Sequence, residues 1–410
     1  MDFAGLANSV PDHVPADLVR PFPFIFGSST KSNPFEDFVP AVHEGPEVIY
    51  APLSYPGGGS TWVPRCMSDL RAIYLDTEHF SSKDFSPFAL ITGGTWANTP
   101  AELDPPEHGG FRQLVNPLFT PKAMAALDDK IRLYAGEYIE SFRQAGHCDF
   151  VRDFALKFPI KVFMELMGLP LDRVDQFLAW EHMLIRSTTI EDIAQGTRNV
   201  VAYLTEALEE RRRNPANDLL TWTTTALKDG RPLTQDEQIG FSFNLFIGGL
   251  DTVTTNIANQ TWHLARHPEH RKLLRENPAL IPNAIEEFMR AYGAVTTFRT
   301  CVKETTVRGV TLKPGDKVSM STTLAGRDPA EFDNPGEVRL DRKPRHTGFG
   351  FGIHTCIGMH LARREMRIAM EELLARIPDF SIAPGHEMEF HLGVIQPVAL
   401  PLVWDPAANS

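Results

Sequence analysis

The stretch Phe349-Gly350-Phe351-Gly352-Ile353-His354-Thr355-Cys356-Ile357-Gly358 places a single cysteine in a glycine-opened loop immediately before a helix. A helix start carries roughly half a positive charge, and loop amides left free by glycine can point at the sulfur. Both effects favour the thiolate, the form of cysteine that ligates metals. With no side chain, Gly352 and Gly358 would also let the backbone approach a large flat ligand closely.

Working outward, nothing divides the 410 residues: no Ser/Gly linker, charge block or low-complexity run interrupts them, so residues 1–410 read as one domain. Hydrophobic residues at 42% and charged residues at 22% support an extensive core. Cys66, Cys148, Cys301 and Cys356 are scattered and form no paired motif, which indicates neither a disulfide scaffold nor a zinc site and fits a reducing cytoplasm. No basic leader or long apolar run opens the chain, so no membrane anchor is expected, and a net charge of −12 argues against nucleic-acid binding. Proline-rich, irregular sequence fills about the first fifty residues, with a strand-like piece near residues 47–51. From Pro105 to about Arg290 apolar residues recur at three- and four-residue spacing. The period then shortens to two between Val307 and Ser321 around the turn Lys313-Pro314-Gly315-Asp316, and again between Phe380 and Trp404. The expected fold is mainly α with small β-sheets.

A capping box, Thr234-Gln235-Asp236-Glu237, opens a long helix whose stripe of Ile239, Phe243, Phe246, Leu250, Val253 and Ile257 predicts burial. In its middle stands Gly248-Gly249-Leu250-Asp251-Thr252. Two glycines there cost roughly 2 kcal/mol relative to alanine, so the helix is expected to widen beside a ligand. The Thr252 hydroxyl can bond a carbonyl one turn back or a bound oxygen species. Asp104-Pro105-Pro106-Glu107-His108 reads as a helix start with Asp104 as N-cap, which places His108 and Arg112 on one face. Glu287 and Arg290 form an i,i+3 acid–base pair on a further helix.

Phe349, Gly352, His354, Cys356 and Gly358, followed by Leu361-Ala362-Arg363, resemble the cysteine-ligand loop of the cytochrome P450 superfamily. The likeness extends through Phe158 to Met164, Gly248 to Val253, Ile377 to Gly385 and Ala399 to Pro406, and it is strongest toward the bacterial camphor-hydroxylase group. It implies haem b (iron protoporphyrin IX), with Cys356 as the iron ligand and Phe349 and Gly358 in the cofactor loop. His108, Arg112, Arg299 and His354 would hold the propionates, since buried carboxylates need charge-assisted partners. Asp251 would pass protons from solvent and Thr252 would handle them at dioxygen. Glu287–Arg290 would be buried near the cysteine loop. The arginine that usually joins this pair is missing, Glu337 standing in its place, with Arg339 or Arg342 as the candidates to replace it.

The implied activity is hydroxylation of an unactivated C–H bond with O2 and two electrons delivered singly by a [2Fe-2S] ferredoxin, itself served by an NADH-dependent reductase. Arg342, Lys343, Arg345, Arg363, Arg364 and Arg367 gather as a docking patch for that acidic partner. The expected substrate pocket has Phe88, Trp96, Asn98, Asn244, Ile247, Gly248, Val295, Thr296, Val394 and Ile395. This largely apolar set suits a monoterpenoid or a norisoprenoid such as an ionone, with Asn98, Asn244 or the Trp96 indole N–H as donors. Two other classes stay open: a non-catalytic haem-binding protein of the same fold, and a cysteine hydrolase using Cys356 and His354.

Overall fold

The capping box forms as expected. Glu237 N–H donates to Thr234 Oγ1 at 3.2 Å, Thr234 N–H donates to Glu237 Oε2 at 2.7 Å, and the helix they start runs unbroken over Gln235–Arg266. At 32 residues it spans roughly 48 Å. Six of the other longer helices pack directly against it. The computed structural model describes residues 10–25, 27–55, 58–187, 189–293 and 295–409; the side chains of Leu250, Ala408 and Asn409 lie outside the described set.

The longer helices, in chain order, are α1 (Met67–Leu75), α2 (Glu107–Val115), α3 (Asp128–Arg143), α4 (Lys157–Met167), α5 (Val174–Ile185), α6 (Ile190–Arg213), α7 (Gln235–Arg266), α8 (Pro268–Glu276), α9 (Ile281–Ala291) and α10 (Met359–Arg376). α7 packs against α4, α6, α9 and α10, and α10 packs along α3. Ile239, Phe243, Phe246, Val253 and Ile257 are all buried, as their periodicity predicts; the sixth member of that stripe, Leu250, is not among the described side chains.

One sheet of five strands stands beside the helices. Its strands are β1 (Val48–Tyr55), β2 (Gly59–Pro64), β3 (Phe80–Ser81), β4 (Thr296–Cys301) and β5 (Lys317–Ser321), in the order β1-β2-β5-β4-β3. Only β2 and β5 run parallel, with Val318 opposite Trp62; β4 and β5 pair antiparallel from Thr296↔Ser321 to Thr300↔Lys317. The turn before β5 has Gly315 at φ +100, the left-handed geometry for which its glycine was needed, and Asp316 N–H donates to Lys313 O at 3.0 Å. A second hydrophobic core, including Trp62, Met67, Leu70, Tyr74, Phe80, Val318 and Met320, fills the space between the sheet and α1.

The tail divides between two small sheets. Ser381–Ile382 and Pro401–Val403 join His147–Asp149, whereas Phe390–His391 and Gln396–Pro397 join Ser29–Thr30.

Two local expectations are corrected. Asp104 does not cap α2, which begins at Glu107 behind Pro106 without a side-chain cap; its carboxylate instead accepts from Ser82 N–H at 2.8 Å and from the Ser81 hydroxyl, joining this segment to β3. The glycine pair does not widen α7, whose α-helical pattern is continuous through residues 248–252.

Candidate active site

Cys356 sits in the loop that leads into α10, and its own N–H donates to Phe349 O at 2.8 Å. Gly350 and Gly352 both adopt φ near +70, a conformation that disfavours side chains and folds the loop back under the sulfur. Gly352 therefore has a different role from the one expected. It packs toward the Tyr74 carbonyl of α1, where a Cβ would stand 3.2 Å from that oxygen, and only Gly358 of the two lines the central cavity. Cys356 is exposed, and what it faces is this cavity. Burial pushes its thiol pKa up, while the N–H groups of Gly358 and Met359 and the guanidiniums of Arg112 and Arg363 pull it down. Arg363 lies 4.4 Å from the centre of the Phe349 ring and is bonded to Glu286.

The cavity holds about 320 Å3 between the Cys356 loop and α7. From α7 it is lined by Asn244, Leu245, Gly248, Gly249, Thr252, Val253 and Asn256; from the loop by Phe349, Gly350, His354, Thr355, Cys356 and Gly358. His108 and Arg112 reach it from α2, and Val295, Thr297 and Arg299 from the sheet side. A Cβ on Gly248 would meet no atom within 4 Å, so the glycine leaves space toward the cavity. On Gly249 a Cβ would stand 3.3 Å from the Phe163 ring of α4, so the second glycine serves helix packing.

The four basic residues expected to bind carboxylates converge from three distant segments. His108 and His354 have ring centres 4.2 Å apart, Arg112 donates to Thr355 O at 2.9 Å, and Arg299 donates to Phe298 O at 2.7 Å beneath the Tyr74 ring. Burial, followed by the nearby guanidiniums, pushes His108 down to about 4 and His354 down to about 3. Burial also lowers Arg112 and Arg299. Among the described residues neither arginine has a carboxylate ion-pair partner, and His108 Nε2 is buried without a hydrogen bond.

On α7 the Thr252 hydroxyl donates to Gly248 O at 3.0 Å, and Asn256 donates to Thr252 O at 2.7 Å. Asp251 turns away from the cavity. It is 4% exposed and ion-paired with Arg186, at the end of α5. Glu181, one turn earlier on α5, is equally buried and interacts with Asp251. Burial and then the Asp251 charge push Glu181 up to about 8, while burial raises Asp251 against the pull of Arg186. One Glu181 oxygen has no hydrogen-bond partner. A second buried acid, Glu365 on α10, lines the cavity with an unpartnered oxygen, and burial lifts its pKa far above the usual carboxylate range. Sequence reasoning missed Glu181, Arg186 and Glu365. Glu365 sits among arginines on a helix that reads as solvated, and no local pattern joins residue 181 to residue 251.

Of the expected substrate residues, Asn244, Gly248 and Val295 line the cavity and seven do not. Trp96 and Phe88 pack at a tilt against Phe243, with ring centres 4.7 and 5.4 Å away. Asn98 is tied to Ser86 and Glu102; Thr296 is paired in the sheet opposite Ser321; and Ile395 is core, its carbonyl accepting from Asn259. Ile247 packs against the helical core and Val394 lies in the turn before Ile395. Phe163 and Leu166 of α4, Tyr74, Met289 and Thr297 contribute walls instead.

The missing basic partner of Glu287–Arg290 is Arg342. Glu287 and Arg290 are 0% exposed and bonded at 2.7 and 2.8 Å, and Arg342 Nε donates to Glu287 Oε1 at 3.2 Å. Arg339 contributes its backbone N–H at 2.9 Å, while its side chain pairs outward with Asp341. The proposed docking patch is correspondingly smaller than its arginine count: Arg342, Arg363, Arg364 and Arg367 are held by Glu287, Glu286, Asp128 and Glu371, leaving Lys343 and Arg345 as its exposed cations.

The family model described as Cytochrome P450 matches residues 161–392. The chain is 40% identical over 384 residues to "Probable cytochrome P450 127A1" of Sinorhizobium fredii, covering 92% of each. It is 32% identical over 365 residues to the mycinamicin IV hydroxylase/epoxidase of Micromonospora griseorubida, covering 85% of this chain and 91% of that one. The crystal structure of cytochrome P450 CYP101C1 superposes with a TM-score of 0.84 at 34% identity, over 97% of this chain and all of the other; CYP101J2 gives 0.84 at 30%, over 97% and 99%. This chain belongs to the cytochrome P450 family. It is a P450 monooxygenase that uses haem b, O2 and a redox partner. No described helix is long and apolar enough to cross a membrane.

The residues present fit that cofactor. A sulfur faces the cavity from below, Gly248 leaves space above, and two guanidiniums and two imidazoles meet at one edge, none of them ion-paired with a carboxylate among the described residues. Two carboxylate arms on a flat ring would supply what that edge lacks.

Proposed function

We propose that this monooxygenase hydroxylates a small, poorly functionalised terpenoid or norisoprenoid, such as a monoterpene or an ionone, with electrons from a [2Fe-2S] ferredoxin and its NADH-dependent reductase. The observation that carries the reading is the wall beside Gly248. Leu245, Val253, Phe163, Leu166 and Val295 are apolar, and Asn244 offers one amide among them, enough to orient a single ketone or hydroxyl. The likeness to two CYP101 structures supports ferredoxin as the electron donor.

In this reading Cys356 holds the iron as thiolate, and His108, Arg112, Arg299 and His354 bind the propionates. Thiolate-ligated haem, when bound, supplies the electron density that favours O–O cleavage. The rest falls to side chains. Thr252 keeps its hydroxyl over the cavity, anchored to Gly248 O, where it can turn to pass a proton. Glu181 holds a proton behind it, and Arg186 orients the Asp251 carboxylate, which can take that proton and carry it toward Thr252 on rotating away from Arg186.

Titration of the haem-loaded protein with a panel of monoterpenes and ionones tests the substrate class. A low-to-high spin shift of the Soret band is expected for at least one ketone of this size, weakened in Asn244→Leu. No shift across the panel would remove the substrate proposal. Electron transfer from a [2Fe-2S] ferredoxin should slow in Lys343→Glu/Arg345→Glu and lose its salt dependence; unchanged rates would remove the docking proposal.

A further inference from the structure

Far from the haem cavity, three imidazoles meet where the last turn of α7 runs into α8. His263 is 2% exposed, His267 and His270 are half-buried, and one ring nitrogen from each lies within 4.8 Å of the other two. The rings stack in near-parallel fashion, His263 on His267 at 4.2 Å and on His270 at 5.1 Å, with both pairs inclined by 19°. His263 Nε2 and His270 Nδ1 stand 2.8 Å apart, within hydrogen-bond distance. The other nitrogens of the first two rings are already held: His263 Nδ1 meets the Tyr292 hydroxyl at 2.6 Å and His267 Nδ1 meets Glu269 Oε1 at 3.0 Å.

That second layer is what separates the cluster from three histidines packed by chance. Metal-binding imidazoles commonly present one nitrogen to the ion while the other donates to a carboxylate, carbonyl or other oxygen that fixes tautomer and orientation. Protons on His263 Nδ1 and His267 Nδ1 would satisfy Tyr292 and Glu269 and leave both Nε2 lone pairs free. The nearest arginine is otherwise engaged: Arg266 lies over Trp262 and pairs with Glu36. None of the three histidines lines the haem cavity or has a part in the oxygen chemistry.

We propose that His263, His267 and His270 form a site for one divalent transition-metal ion, Zn2+ foremost, with water completing a tetrahedron. Imidazole nitrogens suit this borderline class of ion. Tetrahedral ligands at about 2.05 Å stand about 3.3 Å apart, so His263 Nε2 and His270 Nδ1 must separate slightly while the His267 ring, which lies face to face with His263, turns its in-plane lone pair toward the ion; His267 and His270 are half-buried and can swing to allow it. Its proton leaves Nδ1 for Nε2 by exchange with solvent, and no net proton is released. The ion would clip the end of α7 to α8 and, through Tyr292, to the residue that follows α9.

Untagged, haem-loaded protein, stripped with a chelator and titrated with Zn2+ by calorimetry, tests the site, with metal content counted after gel filtration. One equivalent should bind and raise the Tm. His267→Ala and His270→Ala should each weaken binding by at least roughly tenfold, and Glu269→Gln by about tenfold or more, the range typical of an outer-layer partner. The carbon monoxide spectrum of the reduced protein should stay unchanged, which certifies folding and separates this site from the haem. Absence of stoichiometric binding, or full binding retained in His267→Ala/His270→Ala, would overturn the assignment.

Discussion

Arg342→Ala measures what completes the buried Glu287–Arg290 pair. Glu287 Oε1 accepts from Arg290 Nη2 at 2.7 Å, from Arg339 N–H at 2.9 Å and from Arg342 Nε at 3.2 Å, and Oε2 accepts from Arg290 Nε at 2.8 Å. Losing Arg342 removes the longest of these four bonds and a second bond, at 3.0 Å, to Asp333 O. A hydrogen bond to a charged group is worth about 1.5–3 kcal/mol and one to a carbonyl about 1, so the total should be about 2.5–4 kcal/mol, nearer the lower figure because the bond to Glu287 is long. Arg290→Ala should cost more, about 3–5 kcal/mol, because it strands Glu287 in the interior. It also frees the carbonyls of Gly326, Pro335 and Glu337, to which Arg290 donates. Arg339→Ala should leave stability close to that of the wild type, since its side chain joins only an exposed pair and its backbone N–H survives the substitution. Urea denaturation followed by far-ultraviolet dichroism and by the Soret band should rank the three variants in that order. An Arg339→Ala penalty equal to or larger than that of Arg342→Ala would refute the assignment.

The other predictions concern the cavity and the acids behind it. Thr252→Ala should leave stability within about 1 kcal/mol, because its hydroxyl bonds only one carbonyl of its own helix, yet should divert electrons into released peroxide; intact coupling of electron use to product would dismiss the role given to that hydroxyl. Glu181 rises from 4.5 unfolded to about 8 folded, so between those values the native state holds the extra proton and stability falls as pH rises through that window. Thermal melts from acid to mildly alkaline pH should show the stability difference between wild type and Glu181→Gln shrink as pH rises through that window, while the lowered His108 and His354 give both proteins the same opposite slope below about 6.5; a difference that does not change with pH would contradict the buried neutral acid. Gly248→Ala should raise the Tm, by up to about 1 kcal/mol of helix propensity, while weakening the substrate-induced spin shift, since its methyl enters space that no protein atom fills.

What could be read from the chain was what depends on near neighbours. The Cys356 loop, the capping box at Thr234 and the turn at Gly315 each have their determinants within ten residues, and each forms as its residues require. The convergence of His108, Arg112, Arg299 and His354 joins segments up to 246 positions apart and was reachable only through family likeness. Of the expected pocket walls, Phe88, Trp96 and Asn98 lie in residues 85–100, which have no period to orient them; Trp96 and Phe88 are apolar enough for either face and turn onto Phe243. The same lack of local signal hid Glu181, whose significance arises only from the Asp251–Arg186 pair packed against it.

The glycine pair shows how a correct signal can carry a wrong cause. Two adjacent glycines in a long buried helix imply a cost that something must offset, and a widened helix beside a ligand was the simplest single explanation. The helix is not widened. Two separate causes share the cost: Gly249 admits the Phe163 ring of α4, where a Cβ would stand at 3.3 Å, and Gly248 keeps open the space that faces Cys356 across the cavity. The first is a packing demand and the second a ligand demand, so alanine should gain the whole helix-propensity benefit at Gly248 and less of it at Gly249, where the Phe163 ring must give way, a difference between neighbouring positions that a uniform loosening of the helix could not produce.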